Sequence, residues 1–160
     1  MPLGDVDPRA FETWVAMRDG ASLATDVYLP EGWADGHPDG MPTVVVRLPY
    51  DKNDRFAFMA DCATRFMAAG YAFVAQDVRG KARSKGETLA FVHEVEDGYD
   101  TLDWIASQPW CNGAIGSFGD SYYGFTQWAM MASEHPALKA AVPRMTNTEI
   151  GVDWMYQQGV

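Results

Sequence analysis

The stretch Ile115-Gly116-Ser117-Phe118-Gly119-Asp120-Ser121-Tyr122-Tyr123-Gly124 limits the possible folds more than any other. A short apolar run enters a cluster of small residues, and residues 125–132 leave it with helical character. Strand, sharp turn and helix with a serine at the apex is the layout of a nucleophile elbow. Such a turn holds the serine hydroxyl clear of the sheet. It also aims the amides of the helix start at the same point, where they can stabilise an oxyanion. Gly119 and Gly124 suit a tight strand–helix crossing. The common pattern is G-x-S-x-G, and Tyr123 stands where its second glycine would be. A serine at a helix start is also a frequent N-cap. The buried strand before it and the helix after it favour the nucleophile.

The remaining chain alternates strands and helices around this point. Residues 11–17 and 23–30 alternate apolar and polar side chains about an Asp19-Gly20 turn, which predicts an opening antiparallel hairpin. Residues 31–41 are rich in Gly, Asp and Pro and predict a loop. The runs 43–48 and 71–77 are continuous enough to predict strands buried on both faces. Helices are predicted over 56–69, ending at Gly70, and over 97–107, with Tyr99, Leu102, Trp104 and Ile105 as the apolar face. Further strands are predicted over 114–118 and 138–143. The order predicts an α/β fold with one mostly parallel sheet. Sites in such sheets form at the carboxyl ends of the strands, so Tyr50, Arg79 and Ser121 are expected on one rim.

Charge and cysteine content narrow the function classes. A chain of 160 residues suits one domain, and a net charge of -10 disfavours nucleic acid and anionic membranes as partners. Cys62 and Cys111 are far apart and form no CxxC, so reduced thiols in a cytoplasmic protein are the simple expectation. The start of the chain lacks the basic and apolar regions of a signal peptide, and no apolar run approaches the roughly 20 residues of a membrane span. No spacing of His, Cys and Asp predicts a metal site, and no phosphate-loop pattern predicts a nucleotide; no cofactor is expected. Asp97, Asp100 and Asp103 share one helix, where their charges suit its N-terminal dipole.

Several motifs converge on one family. Gly119-Asp120-Ser121-Tyr122-Tyr123-Gly124 resembles the G-x-S-Y-x-G form of the cocaine-esterase and Xaa-Pro dipeptidyl-peptidase group of α/β-hydrolases, the CocE/NonD type. Arg18-Asp19-Gly20 with residues 23–30 resembles the opening hairpin of that group. Val46-Arg47-Leu48-Pro49-Tyr50-Asp51-Lys52, Gln76-Asp77-Val78-Arg79-Gly80 with Arg83-Ser84-Lys85-Gly86, and the segment 97–113 resemble its successive strand ends and helix. His135-Pro136-Ala137-Leu138-Lys139 resembles the group's segment after the elbow, so the likeness covers nearly the whole chain. The resemblance implies that Ser121 is the acylated nucleophile. It implies that the Tyr122 backbone N–H and the Tyr50 hydroxyl form the oxyanion hole. On the residues alone, Tyr50 reads first as a loop aromatic packed on the rim; the resemblance reverses that reading.

The other members of a triad are harder to find. In α/β-hydrolases the chain order is Ser, Asp or Glu, His. After Ser121 the only histidine is His135, fourteen residues on, or about 20 Å along a helix. It reads as a helix C-terminal residue, and His37 and His93 read as surface histidines in loops. The resemblance implies that the acid and base lie downstream of a helical cap beginning near 146–160, so residues 1–160 are the N-terminal part of a catalytic domain that is incomplete here. The expected substrate is a small-molecule ester, amide or short peptide. The remainder of the hydrolase would come from the same or a complementary chain. Two alternatives stand beside this reading: a truncated or split non-catalytic module needing a complementary chain, and an inactive ligand-binding relative.

Overall fold

The computed structural model describes residues 2–37 and 39–156. Residues 157–160, the end of the segment expected to open a helical cap, lie outside the described residues.

The chain opens with the expected hairpin. β1 (Ala10–Ala16) and β2 (Ser22–Tyr28) pair antiparallel, with Trp14 opposite Ala24 and Phe11 opposite Val27. Gly20, with φ 89, completes the turn between them. A short helix α1 (Trp33–Gly36) occupies part of the predicted loop, a difference that composition hid because Gly32 and Gly36 bracket it. β3 (Met41–Leu48), α2 (Met59–Ala68), β4 (Ala72–Asp77) and α3 (Glu94–Ala106) come next. β5 (Cys111–Asp120) runs directly into α4 (Ser121–Ala132), and β6 (Leu138–Arg144) closes the sheet. A π-helical turn spans Ile150–Trp154. α4 begins at Ser121 itself, four residues earlier than its apolar spacing predicts, because the small and aromatic residues after the serine already turn helically.

The six strands lie in the order β1-β2-β4-β3-β5-β6. β4, β3, β5 and β6 are mutually parallel, and β2 joins them antiparallel through Thr25 to Tyr28. This is the predicted mixed α/β sheet. The parallel strands at its centre are buried on both faces as their composition requires. From Thr43 to Leu48 every residue of β3 is buried, as is every residue of β4. Successive side chains of β3 serve opposite cores. Val45 packs with Val74, Leu102, Ile105 and Met130 beneath α3 and α4. Val44 and Val46 pack with Phe73, Met59 and Ala63 beneath α2.

α3 departs from expectation in what it buries. Leu102 and Ile105 are buried as predicted, while Tyr99 and Trp104 are only partly covered. Glu94, Asp97 and Thr101 are buried beside them. The three helix aspartates do not act as a group on the dipole. Asp97 binds Arg79, Asp100 binds Arg18, and Asp103 lies 3.6 Å from His135. His135 lies just past the end of α4 and is buried; its Nδ1 accepts the Ala137 N–H at 3.2 Å. Trp154 is half-buried, its ring 5.7 Å from Phe91. Met155 and Tyr156 are exposed.

Candidate functional site

The site forms where β3 and β5 end. Ser121 is exposed at the junction of β5 and α4, with φ 54, in the left-handed region that non-glycine residues rarely adopt. Such a conformation costs about 1–3 kcal/mol and persists only where surrounding packing enforces it. Here the enforcing contacts are visible. Gly119 has φ 143, and a side chain there would collide with the Tyr123 ring. A Cβ at Gly124 would come within 2.7 Å of the Arg144 carbonyl oxygen and 2.8 Å of the Thr146 methyl. The irregular glycine spacing thus has a physical cause. The glycine that α4 needs is the one facing the end of β6, and the tyrosine before it covers Gly119. No side-chain hydrogen bond caps α4, so Ser121 does not serve as its N-cap.

Gln127, one turn into α4, fastens this junction. Its Nε2 donates to the Gly119 carbonyl at 3.1 Å and the Tyr123 carbonyl at 3.0 Å, while its Oε1 accepts the Val142 N–H at 2.9 Å. One buried amide thus ties β5, α4 and β6 together. It reads in the sequence as a polar residue in a mostly apolar helix, a pattern that signals a buried hydrogen-bonding role.

The segment after β3 brings Tyr50 to the serine. The Tyr50 hydroxyl lies 3.4 Å from Ser121 Oγ, and its ring meets Tyr123 edge-on with centroids 5.9 Å apart. The loop carrying Tyr50 is fixed from below. Asp51, with φ 66, accepts the Gly4 N–H at 2.7 Å. The Lys52 N–H donates to Asp77 Oδ1 at 2.8 Å. The Lys52 ammonium is buried among Glu12 at 2.8 Å, Asp26 at 3.1 Å and Asp77 at 3.8 Å. Three carboxylates around one lysine leave an excess of negative charge in a dry place. Burial pushes the Asp77 carboxyl up to about 6 against the pull of the Lys52 amide and charge, and pushes Asp26 up as well.

Tyr122 turns its side chain away from Ser121. Its hydroxyl donates to Glu94 Oε1 at 2.8 Å and accepts the Phe91 N–H at 3.0 Å. Burial, and then the neighbouring Glu94 charge, raise the phenol above its ordinary range, so it remains a donor.

Arg79, expected on the same rim, is not gathered into the site. Its guanidinium holds Asp97 and Asp19, tying the hairpin turn to α3. His37 and His93 are half-buried in their segments, and the hydrogen-bond partner of Ser121 Oγ among the described residues is Tyr50, not a histidine. Among the described residues, no group of three or more His, Cys, Asp and Glu side chains is placed to hold a metal ion, and no helix is long and apolar enough to cross a membrane.

A hairpin leading into a parallel sheet flanked by helices, with an exposed serine at a strained strand–helix junction, defines the N-terminal part of an α/β-hydrolase fold. The match to solved structures agrees. An α-amino acid ester hydrolase superposes with a TM-score of 0.74 and 33% identity over 96% of this chain and 29% of its own. A CocE/NonD family hydrolase from Staphylococcus aureus superposes at 0.73 with 27% identity, over 88% of this chain and 28% of its own. The chain belongs to the X-Pro dipeptidyl-peptidase (S15) family, whose model matches residues 19–160. The cocaine esterase of Rhodococcus sp. (strain MB1 Bresler) is 43% identical over 143 residues, covering 88% of this chain and 24% of the esterase. The chain therefore spans about a quarter of the length of that curated relative, and its domain is partial.

Proposed function

We propose that this chain carries the nucleophile and both oxyanion donors of a serine hydrolase acting on a small ester, amide or short peptide. The observation that carries the reading is the exposed Ser121, at φ 54, with the Tyr50 hydroxyl 3.4 Å from its Oγ. In this reading Ser121 Oγ attacks the substrate carbonyl carbon and gives its proton to a histidine base outside residues 1–160. The carbonyl oxygen becomes an oxyanion held by the Tyr50 hydroxyl and the Tyr122 N–H. Collapse expels the alcohol or amine, which takes the proton from the base, and leaves an acyl ester on Ser121. Water, activated by the same base, then releases the acid. Relatives named as a cocaine esterase and an α-amino acid ester hydrolase support acyl transfer as the shared chemistry. Free Cys62 and Cys111 suit a reducing, cytoplasmic setting.

The test is covalent. A fluorophosphonate should modify Ser121 in the intact protein, and Ser121→Ala should abolish turnover; full activity in the alanine variant would end the proposal. Among the described residues Ser121 Oγ meets a tyrosine and not a histidine, which favours a second reading of this chain taken alone, as a module that acts only with the remainder of the hydrolase. Residues 1–160 alone should then show no turnover, and the separately expressed remainder should restore it. Turnover by residues 1–160 alone would refute that reading. The third reading, an inactive ligand-binding relative, would be favoured by a Tyr50 hydroxyl remote from Ser121, and the 3.4 Å contact supports the catalytic reading instead.

A further inference from the structure

Tyr122 is more than the residue after the serine. Its ring stacks on Phe91 with centroids 4.4 Å apart and planes inclined by 21°. Phe91 has φ 69, a second strained non-glycine residue against this turn, and its amide is bound to the Tyr122 hydroxyl. That hydroxyl in turn donates to Glu94, in the first turn of α3.

Glu94 is itself held from within the sheet. Its Oε2 lies 2.9 Å from Arg47 Nη1, within ion-pair distance though off hydrogen-bond alignment. Arg47 is fully buried in β3. Its Nε donates to Gln76 Oε1 at 2.8 Å, and its Nη1 donates to the Glu94 carbonyl at 3.2 Å. The Arg47 carbonyl accepts the Thr126 hydroxyl at 3.0 Å, which links the same residue to α4. A continuous polar chain therefore runs from the centre of the sheet through Arg47 and Glu94 to the Tyr122 hydroxyl.

We propose that Glu94, seated by Arg47, is a positioning residue for the chemistry of Ser121: it holds the Tyr122 side chain and so fixes the direction of the Tyr122 backbone N–H. This rests on the reading of Ser121 as nucleophile. The physical reason is the strain. A serine in the left-handed region gains by relaxing, and any relaxation swings the next amide. The Tyr122 ring is a rigid strut against that swing, anchored at its far end by a buried carboxylate. An oxyanion donor acts at full strength only when it already points where the charge develops.

The test uses the intact hydrolase. Tyr122→Phe removes the hydroxyl and keeps the ring on Phe91 and the backbone N–H. Glu94→Gln keeps an acceptor for Tyr122 and removes the ion pair. Active sites are counted by saturating fluorophosphonate labelling of Ser121. With KM steady, kcat per labelled site should fall about 10-fold in Tyr122→Phe and by less in Glu94→Gln. The second-order rate constant of labelling should fall in parallel, because the phosphonyl oxygen uses the same donors. A purely structural strut would lower the melting temperature and leave both rates per site unchanged. Unchanged rates in both variants overturn the inference alone. A serine that stays unlabelled in the unaltered protein overturns the underlying reading, and this one with it.

Discussion

Tyr50 is half exposed, with its ring edge-on to Tyr123 and its hydroxyl at Ser121. Tyr50→Phe therefore keeps the packing and removes a single donor. In the intact enzyme, steady-state kinetics should show kcat lower by about 100-fold with KM nearly unchanged. A kcat equal to that of the unaltered enzyme would remove Tyr50 from the oxyanion site. Ser121 could be picked out from its strand–turn–helix context, and strand ends put Tyr50 on the same carboxyl rim, but only the family resemblance singled Tyr50 out as a donor. The groups that hold them were less visible. Glu94 lies in a helix's first turn, where an acid ordinarily serves the dipole. Its burial becomes apparent only when Tyr122, 28 residues away, folds over it. Arg47 did leave a signal. It is the one charge in Val44-Val45-Val46-Arg47-Leu48, and a charge in a strand buried on both faces requires a buried partner.

Among the elements, the junction of β5 and α4 depends on one close approach. Gly124 is buried, and a methyl group there would sit 2.7 Å from the Arg144 carbonyl oxygen, a backbone atom that cannot rotate away. Gly124→Ala should push β6 from α4 and lower stability by about 2 kcal/mol, read from denaturant melts. Gly36→Ala supplies the contrast. Nothing lies within 4 Å of its added Cβ, so its effect should stay within about 0.5 kcal/mol. Equal losses at the two positions would show that the close approach is not what Gly124 provides. Element types were mostly legible, since β-branched runs and helical spacing are local properties. Boundaries were not. β5 extends from Cys111 to Asp120, well beyond its apolar centre, because pairing with β3 and β6 recruits small and polar residues that have no strand preference of their own.

At the scale of the molecule, strand–helix alternation was enough to read a mostly parallel sheet, but not the placement of β4 between β2 and β3. That placement brings Asp77, at the end of β4, together with Asp26 of β2 and Glu12 of β1 around Lys52. Its consequence is a stability that depends on pH in two opposed ways. Asp77 is held at about 6, above its ordinary 3.8, chiefly by burial. Between those values the folded protein binds the proton more tightly than the unfolded chain. Stability must then fall as pH rises through about 6, by up to about 3 kcal/mol for such a shift. Asp7 and Asp19 behave oppositely. Hydrogen bonds from Arg9 and Arg79 hold them below 3.8, Asp19 at about 2, so the stability they add is present above about 4 and lost on further acidification. The melting temperature should accordingly be highest near pH 4, fall between about pH 4 and 6, and stay lower at pH 8. Relief of self-repulsion as the charge of -10 is titrated away acts in the same direction, so the profile alone does not single out Asp77. Asp77→Asn does. It leaves an oxygen to accept the Lys52 N–H and removes the titrating charge, so the decline between about pH 4 and 6 should flatten. An unaltered slope in that variant would place the effect in the overall charge and not in the buried cluster beneath Tyr50.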